Sequence, residues 1–355
     1  MNTPIALQSN RCISLILFFA LSLDEWIGKA KMGTSQGWDM ATVLITGGAG
    51  FIGRHVARHF LSKKWEVRLL DQQEIDSTDP LGLAGCDCFV GDVRSMDALR
   101  PAMHGCDAVV HLAAVVSVPQ SFLEPEKTMD VNVNGTRTVL QCAQEMGVNN
   151  TIVASSAAVY GDSTDLPLEE SAPTQSLSPY GESKVANEHD VVHFRKKGLN
   201  AIALRFFNVY GAGQNAGSSY ASLIPLFVDA MVTGKQPTIY GDGFQTRDFV
   251  HVSDLANAVF TLSSKSDGYQ YPVANVATQT QTSVKQVVEI INAQLVEYNK
   301  GKTVEPLYAD AREGDIRHSF GSNSRLQNMI TWQPSITFED GIAALIEGYE
   351  EKDSK

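Results

Sequence analysis

From Ala41 onward the chain predicts an α/β fold: a doubly wound parallel sheet with helices on both faces, followed by a smaller α/β domain. Three observations carry this prediction. The apolar runs TVLIT (42–46), EVRLLD (66–71), CFVGD (88–92) and DAVVHLAA (107–114) alternate with stretches of helical spacing. The runs hold consecutive apolar residues (VLI, LL, CFV, VV) rather than apolar residues only at every second position, as in strands buried on both faces. The first run also passes through Gly47, Gly48, Ala49 and Gly50 into FIGRHVARHFLSKK, where Ile52, Val56, Phe60 and Leu61 recur at a helical period.

The later elements follow in order. A long helix is expected across TMDVNVNGTRTVLQCAQEM (128–146), then the strand TIVASS, then a helix over YGESKVANEHDVVHFRKKG, then a strand over AIALRFFNVYG (201–211). Beyond Gly211 the regularity loosens into the helix SLIPLFVDAMVTG, the short runs PTIYGDG and DFVHV, the helix SDLANAVFTLSS, the run PVANVA, and helical pieces around KQVVEIINAQL and FEDGIAALIEGYEE. No period marks an array of repeats. The expected organisation is a nucleotide-binding domain over 40–205 and a mainly substrate-binding domain over 206–355, with interleaved segments.

Composition narrows the classes. With 355 residues, 43% hydrophobic and 19% charged, the chain has ample material for a core. A net charge of −12 argues against a nucleic-acid surface, which needs clustered Lys and Arg. Cys12, Cys86, Cys88, Cys106 and Cys142 form no CxxC pair and no metal spacing with histidines. They read as free thiols in a reducing, cytoplasmic compartment, with no metal implied. Residues 1–39 differ from the rest: Arg11 precedes CISLILFFALSL, an apolar run too short for an ordinary membrane span and closed by Asp24 and Glu25. An extension outside the functional chain, a targeting or anchoring segment, and a packed element all stay open, while no stable membrane association is expected.

Gly47, Gly50 and Gly53 make a G-x-x-G-x-x-G turn between the first strand and helix. Such a turn lets the backbone approach a pyrophosphate, whose charge meets the unpaired N–H groups of the helix start. Asp71 ends the second strand 18 residues past Gly53, where an acid accepts both ribose hydroxyls and repels a 2′-phosphate. This is a Rossmann-type arrangement that favours NAD over NADP. Asp92 and Val93, after CFVG, are candidates for the adenine, although a lone Gly-Asp is often only a turn.

Tyr180 and Lys184 form Y-x-x-x-K. Four residues apart on a helix they share a face, so the ammonium, together with a cationic nicotinamide, can lower the phenol from about 10 toward neutrality and leave a general base. They follow SSAAVYGD (155–162), whose two serines end the fifth strand.

In this order TGGAGFIG, Asp71, HLAA, SSAAVYG, YGESK, RFFNVYG, RDFVHVSDLA and REGDIRHS resemble the extended short-chain dehydrogenase/reductases, most of all their nucleotide-sugar 4-epimerase branch. The resemblance spans essentially 41–350. It implies a Rossmann domain holding NAD through Gly47, Gly50, Phe51, Ile52, Gly53, Asp71, Asp92, Val93, Leu112, Ala113, Ala114, Tyr180, Lys184 and Phe207. It further implies a catalytic Ser156, Tyr180 and Lys184, with Ser155 in reserve or structural, and a homodimer through helices within 127–146 and 180–197. A UDP-sugar would meet Val116, Ser117, Ser156, Asn208, Leu223, Ile224, Pro225 and Ser319, with its diphosphate clamped by Arg247 and Arg312. Arg205 and His111 read as packed residues rather than ligands.

The implied chemistry is an oxidation at C4 by NAD, a 4-keto sugar that turns in the pocket, and return of hydride to the other face. Relatives that eliminate water or CO2 carry acids just after the catalytic hydroxyl residue, where this chain has Ala157 and Ala158. Ser319 leaves room for an N-acetyl group, and Val116 is not the glycine of some N-acetyl-selective relatives. The leading expectation is an NAD-dependent UDP-glucose/UDP-galactose 4-epimerase, with the N-acetylated pair also admitted. A UDP-glucuronate 4-epimerase, decarboxylase, dehydratase or reductase of the same fold is the nearest alternative. A hydroxysteroid-type dehydrogenase and a non-catalytic NAD sensor are further ones.

Overall fold

The computed structural model describes residues 40–75, 83–214, 222–311 and 316–349. The described residues form one compact unit, and 1–39, on which the N-terminal expectations fall, lie outside them. The elements run β1 (Thr42–Thr46), α1 (Phe51–Ser62), β2 (Glu66–Asp71), β3 (Cys86–Val90), α2 (Met96–Met103), β4 (Ala108–His111), α3 (Val118–Leu123) and α4 (Pro125–Met129). A π-helical turn (Asp130–Asn134) leads into α5 (Gly135–Met146), β5 (Asn150–Ser156), a 3-10 turn (Ala157–Tyr160), α6 (Pro179–Lys196), β6 (Ala201–Phe206) and β7 (Asn208–Tyr210). The remainder comprises α7 (Leu223–Val232), β8 (Thr238–Tyr240), β9 (Thr246–Arg247), β10 (Phe249–His251), α8 (Val252–Ser263), β11 (Val273–Val276) and β12 (Thr282–Ser283). It closes with α9 (Val284–Glu297), β13 (Leu307–Ala309), β14 (His318–Ser319), α10 (Ser324–Met329) and α11 (Phe338–Glu347).

Seven parallel strands form the main sheet in the order β3-β2-β1-β4-β5-β6-β11. Strand alternation divides its apolar side chains between two cores. Val43 and Ile45 face Val56 and Phe60 of α1 and Val259 and Leu262 of α8, whereas Leu44 faces Leu99, Val139, Leu140 and Val191. The strand order reverses between β1 and β4, and in open α/β sheets a ligand lies at that crevice, beyond the carboxyl ends of the strands. A third core joins α7, α9 and α11 through Phe227, Met231, Val287, Ile291, Ile342 and Ile346. Among the described residues no helix is long and apolar enough to cross a membrane.

Three elements differ from the sequence expectations. The helix expected over 128–146 is broken by the π-helical turn, where the Asn132 side chain bonds both backbone atoms of Val115. The strand expected over 201–211 divides at Phe207: its N–H donates to Val276 O in the main sheet, while Asn208 N–H donates to Asp248 O and starts a second pairing. Strand β3 starts at Cys86 because Cys86 already pairs with Val67.

Asp248, with no exposed surface, fastens the smaller sheets. Its carboxylate accepts from Thr278 N (2.8 Å), Thr278 Oγ1 (2.7 Å), Gln279 N (3.0 Å) and Gly321 N (3.3 Å). Burial pushes it up to about 6 against these donors, which favour the ionised form. Asp248→Asn, whichever way the amide is turned, presents its N–H2 to at least one backbone N–H that can only donate. It is expected to lower unfolding stability by about 2–3 kcal/mol, read as a reduced urea midpoint at unchanged slope.

Candidate active site

Helix α6 buries a polar stripe: Ser183, Lys184, Asn187 and Glu188, with Val191 beyond, lie on the face that also carries Tyr180. Ser178 caps its start by accepting from Gly181 N at 3.1 Å, and Pro179 occupies the first turn, where no N–H is needed. Gly181 lets this start press on the 3-10 turn that follows β5, since a Cβ there would lie 2.1 Å from Ser176 Oγ and 2.8 Å from Ala158 O.

At that junction the three expected catalytic residues meet. Ser156, last in β5, lies within reach of the Tyr180 phenol, and its oxygen accepts from Ala158 N at 3.2 Å. Lys184, 3% exposed, donates from Nζ to Ala154 O at 2.9 Å and lies 5.6 Å from the centroid of the Tyr180 ring. Burial raises the phenol, with the Ser156 bond opposing, and pushes the ammonium down to about 8. The chain by itself therefore holds Tyr180 neutral. The lowering expected from sequence calls for more positive charge than Lys184 alone supplies, such as a bound cofactor brings.

Ser155 has a different partner. Its hydroxyl donates to Glu188 Oε1 at 2.6 Å, and Arg205 holds the same carboxylate through Nε (2.8 Å) and Nη2 (2.7 Å). Ser155 and Arg205 thus belong to the packing between β5, β6 and α6. Glu188, Asn132 and Asp248 were not singled out by sequence; an acid one turn beyond Lys184 was the available signal for Glu188.

The cofactor candidates gather at the crevice. Gly47 adopts φ 73°, and a Cβ there would lie 2.8 Å from Ala113 N; one on Gly53 would lie 2.2 Å from Gly47 O. Gly50 caps α1 without a side-chain bond, so the first-turn N–H groups of the helix have no side-chain cap. Asp71 lies beside this turn, accepting from Ala49 N at 3.0 Å. These residues fit a dinucleotide diphosphate at the helix start and a ribose at Asp71. Phe51, Ile52, Leu112, Ala113 and Ala114 are partly exposed around the turn. Asp92 is held by Arg94 and by Gln72 Nε2 (2.8 Å). Val93 and Phe207 bury their side chains in the cores, which leaves only their main chains for a ligand.

The substrate candidates divide. Arg247 on β9 and Ser319 on β14 are register partners, so the structure brings them together. Asn208 opens β7 with an exposed side chain, and Val116 is 66% exposed. Ser117 caps α3, accepting from Gln120 N at 3.1 Å. Leu223, Ile224 and Pro225 form the first turn of α7, but Ile224 points into the third core. Arg312 lies outside the described residues.

The model of the NAD dependent epimerase/dehydratase family matches residues 43–277. A UDP-glucose 4-epimerase of Streptomyces lividans is 32% identical over 306 residues, covering 82% of this chain and 91% of that protein. A UDP-N-acetylglucosamine 4-epimerase from Methanobrevibacter ruminantium M1, solved with UDP-N-acetylmuramic acid, superposes with a TM-score of 0.79 at 32% identity, covering 87% of this chain and 97% of that one. A Thermotoga maritima UDP-glucose 4-epimerase solved with UDP-glucose gives 0.79 at 29% identity, covering 86% and 97%. The protein is an enzyme with a Rossmann-like parallel sheet, and the chain belongs to the NAD dependent epimerase/dehydratase family.

Two outcomes follow from the geometry. In protein stripped of dinucleotide, the Tyr180 phenol is expected to titrate above about 10, read as the 295 nm absorbance difference from Tyr180→Phe; a midpoint below that value removes the burial argument. Ser155→Ala is expected to lower stability by about 1–2 kcal/mol in urea unfolding while leaving the Tyr180 midpoint in place.

Proposed function

We propose that the protein inverts C4 of a UDP-hexose, taking UDP-glucose and UDP-galactose and admitting their N-acetylated counterparts. The observation that carries this reading is the meeting of Ser156, Tyr180 and Lys184 at the carboxyl end of β5, with alanine at 157 and 158. Elimination or decarboxylation would call for an acid there. Two carboxylates from this region are engaged elsewhere: Glu188 with Ser155 and Arg205, and Glu170 with Asn275 N (2.7 Å) and Arg325 (3.6 Å).

Bound NAD supplies a hydride acceptor for C4 and the donor that restores it. Tyr180 takes the O4 proton as C4 is oxidised and returns it to the 4-keto sugar once the ring has turned. Ser156 donates a hydrogen bond to O4, and Lys184 favours the phenolate. Asp71 accepts from the adenosine ribose hydroxyls. Arg247 and Asn208 hold the diphosphate, a role for which a guanidinium is well shaped. The small Ser319 leaves space beside Arg247 for a substituent at C2. The working unit of this reading is a cytoplasmic homodimer packed through α5 and α6, for which light scattering should give twice the chain mass.

The discriminating experiment incubates the holoenzyme with UDP-galactose, UDP-N-acetylgalactosamine and UDP-glucuronate and identifies products by NMR. Epimers at C4 with no net NADH are expected; loss of CO2 or accumulation of NADH would falsify the assignment. Tyr180→Phe should lower kcat by about 10²–10⁴-fold, and Ser156→Ala by a smaller factor, with urea midpoints close to wild type.

A further inference from the structure

A second set of buried polar groups runs behind the catalytic residues. Thr46, His111, Thr136, Asn132 and Asn187 are each at most 2% exposed, and they connect the strand before the glycine turn to the catalytic helix. The contacts are Ala113 N to Thr46 Oγ1 (3.3 Å), Thr46 Oγ1 to His111 Nδ1 (2.7 Å) and His111 Nε2 to Thr136 Oγ1 (3.0 Å). From there Thr136 Oγ1 reaches the Asn187 amide (3.1 Å), whose other atom reaches Asn132 O (3.0 Å) and Ser183 O (3.1 Å).

Donor and acceptor counting gives this chain one direction. Main-chain carbonyls only accept, so the Asn187 nitrogen faces Asn132 O and Ser183 O, and its oxygen faces Thr136. Thr136 then donates its single proton to Asn187, which requires it to accept from His111 Nε2–H. Buried and next to Lys184, His111 is neutral, pushed down to about 3, so its Nδ1 carries no proton and accepts from the Thr46 hydroxyl. The Thr46 oxygen in turn accepts from Ala113 N–H. Every member is satisfied by the Nε2–H tautomer, and the other neutral tautomer leaves His111 and Thr46 or Thr136 mismatched.

A parallel clamp ends at the same place. Asn132 Oδ1 accepts from Val115 N (2.8 Å), and its Nδ2 donates to Val115 O (3.0 Å) and Ser183 Oγ (2.9 Å), while Ser183 Oγ donates to Tyr180 O (2.6 Å). Residues 112–117, which carry candidate cofactor and substrate contacts, are thereby tied to the turn of α6 that carries Tyr180 and Lys184.

We propose that His111 and Thr136 are positioning residues: the one-way chain through them holds the Tyr180–Lys184 turn of α6 in fixed register with the cofactor loop. No proton passes along it. The proposal rests on the reading of Tyr180 as the proton acceptor, and its test does not require turnover.

Thr136→Val keeps the side-chain shape and removes the hydroxyl, whereas Thr136→Ser restores it. In NAD-saturated enzyme, Thr136→Val is expected to move the Tyr180 absorbance midpoint by about half a unit or more. With UDP-galactose, kcat should fall about tenfold while KM stays within about twofold, as expected for misplacement of the reacting groups rather than loss of binding. Thr136→Ser should recover both. An unmoved phenol midpoint in Thr136→Val, or a shift that Thr136→Ser does not reverse, overturns the proposal.

If Thr136→Val does not fold, His111→Gln and His111→Leu decide the matter by the same midpoint. Glutamine can offer oxygen to Thr46 and nitrogen to Thr136 and should stay near wild type, and leucine should not; equal midpoints overturn the proposal. Absence of any epimer from wild-type enzyme would defeat the functional reading alone, because the phenol titration uses no sugar.

Discussion

The placement of Tyr180 and Lys184 depends on the Glu188 carboxylate, buried at 5% exposure and shared between Ser155 and the Arg205 fork. An unpaired carboxylate in this position would cost several kcal/mol, so helix α6 is held where Glu188 meets the Arg205 fork, with the Ser155 hydroxyl adding a further bond. Ser155 lies on β5 and Arg205 on β6, and they are register partners, so the pair fixes both the rotation of α6 and its height along the sheet. Lys184 and Tyr180 lie one and two turns toward the helix start, and their positions follow. Arg205 extends the constraint by lying 4.6 Å over the Tyr160 ring, whose hydroxyl donates to Asn275 on β11.

That constraint explains what could and could not be read in advance. The glycine turn, the strand sequence and Y-x-x-x-K depend on local spacing, and the folded chain brings Ser156, Tyr180 and Lys184 to one end of β5. The supporting residues carry no such signal. The buried face of α6 is polar, so apolar periodicity says little about which side faces inward. Asn132 sits in a π-helical turn that no propensity announces, and it acts on Val115, 17 residues away. Asp248 draws its meaning from backbone N–H groups 30 and 73 residues distant. Each is a polar residue whose partners become neighbours only after folding.

Electrostatically, the site holds one buried ammonium beside a neutral phenol until the cofactor arrives. Burial lowers Lys184 to about 8 and raises Tyr180, so near pH 7 the ammonium stays charged while the phenol stays neutral. A neutral His111 spares Lys184 a second buried cation, consistent with the imidazole acting as a dipole in a chain rather than as an acid. Coupling between phenol ionisation and cofactor binding follows: whatever lowers the phenol on binding is strengthened, by linkage, when the phenol is ionised.

The same economy bears on the sugar. Ser319 and Arg247 sit side by side on adjacent strands about 4.8 Å apart, so the size of residue 319 is felt next to the guanidinium assigned to the diphosphate. A small residue there removes an obstacle but adds no contact that an N-acetyl group would prefer over a hydroxyl. Val116, 66% exposed, likewise offers surface without a polar group in its side chain. The Ser319 hydroxyl can bond a sugar hydroxyl or an acetamido oxygen alike, and Val116 has no polar group, so neither singles out one sugar, and discrimination by unfilled space is worth much less than discrimination by an unpaired polar group. On this reading, breadth at C2 is the consequence of how the pocket is built, and strictness resides at C4, where Ser156 and Tyr180 require a hydroxyl.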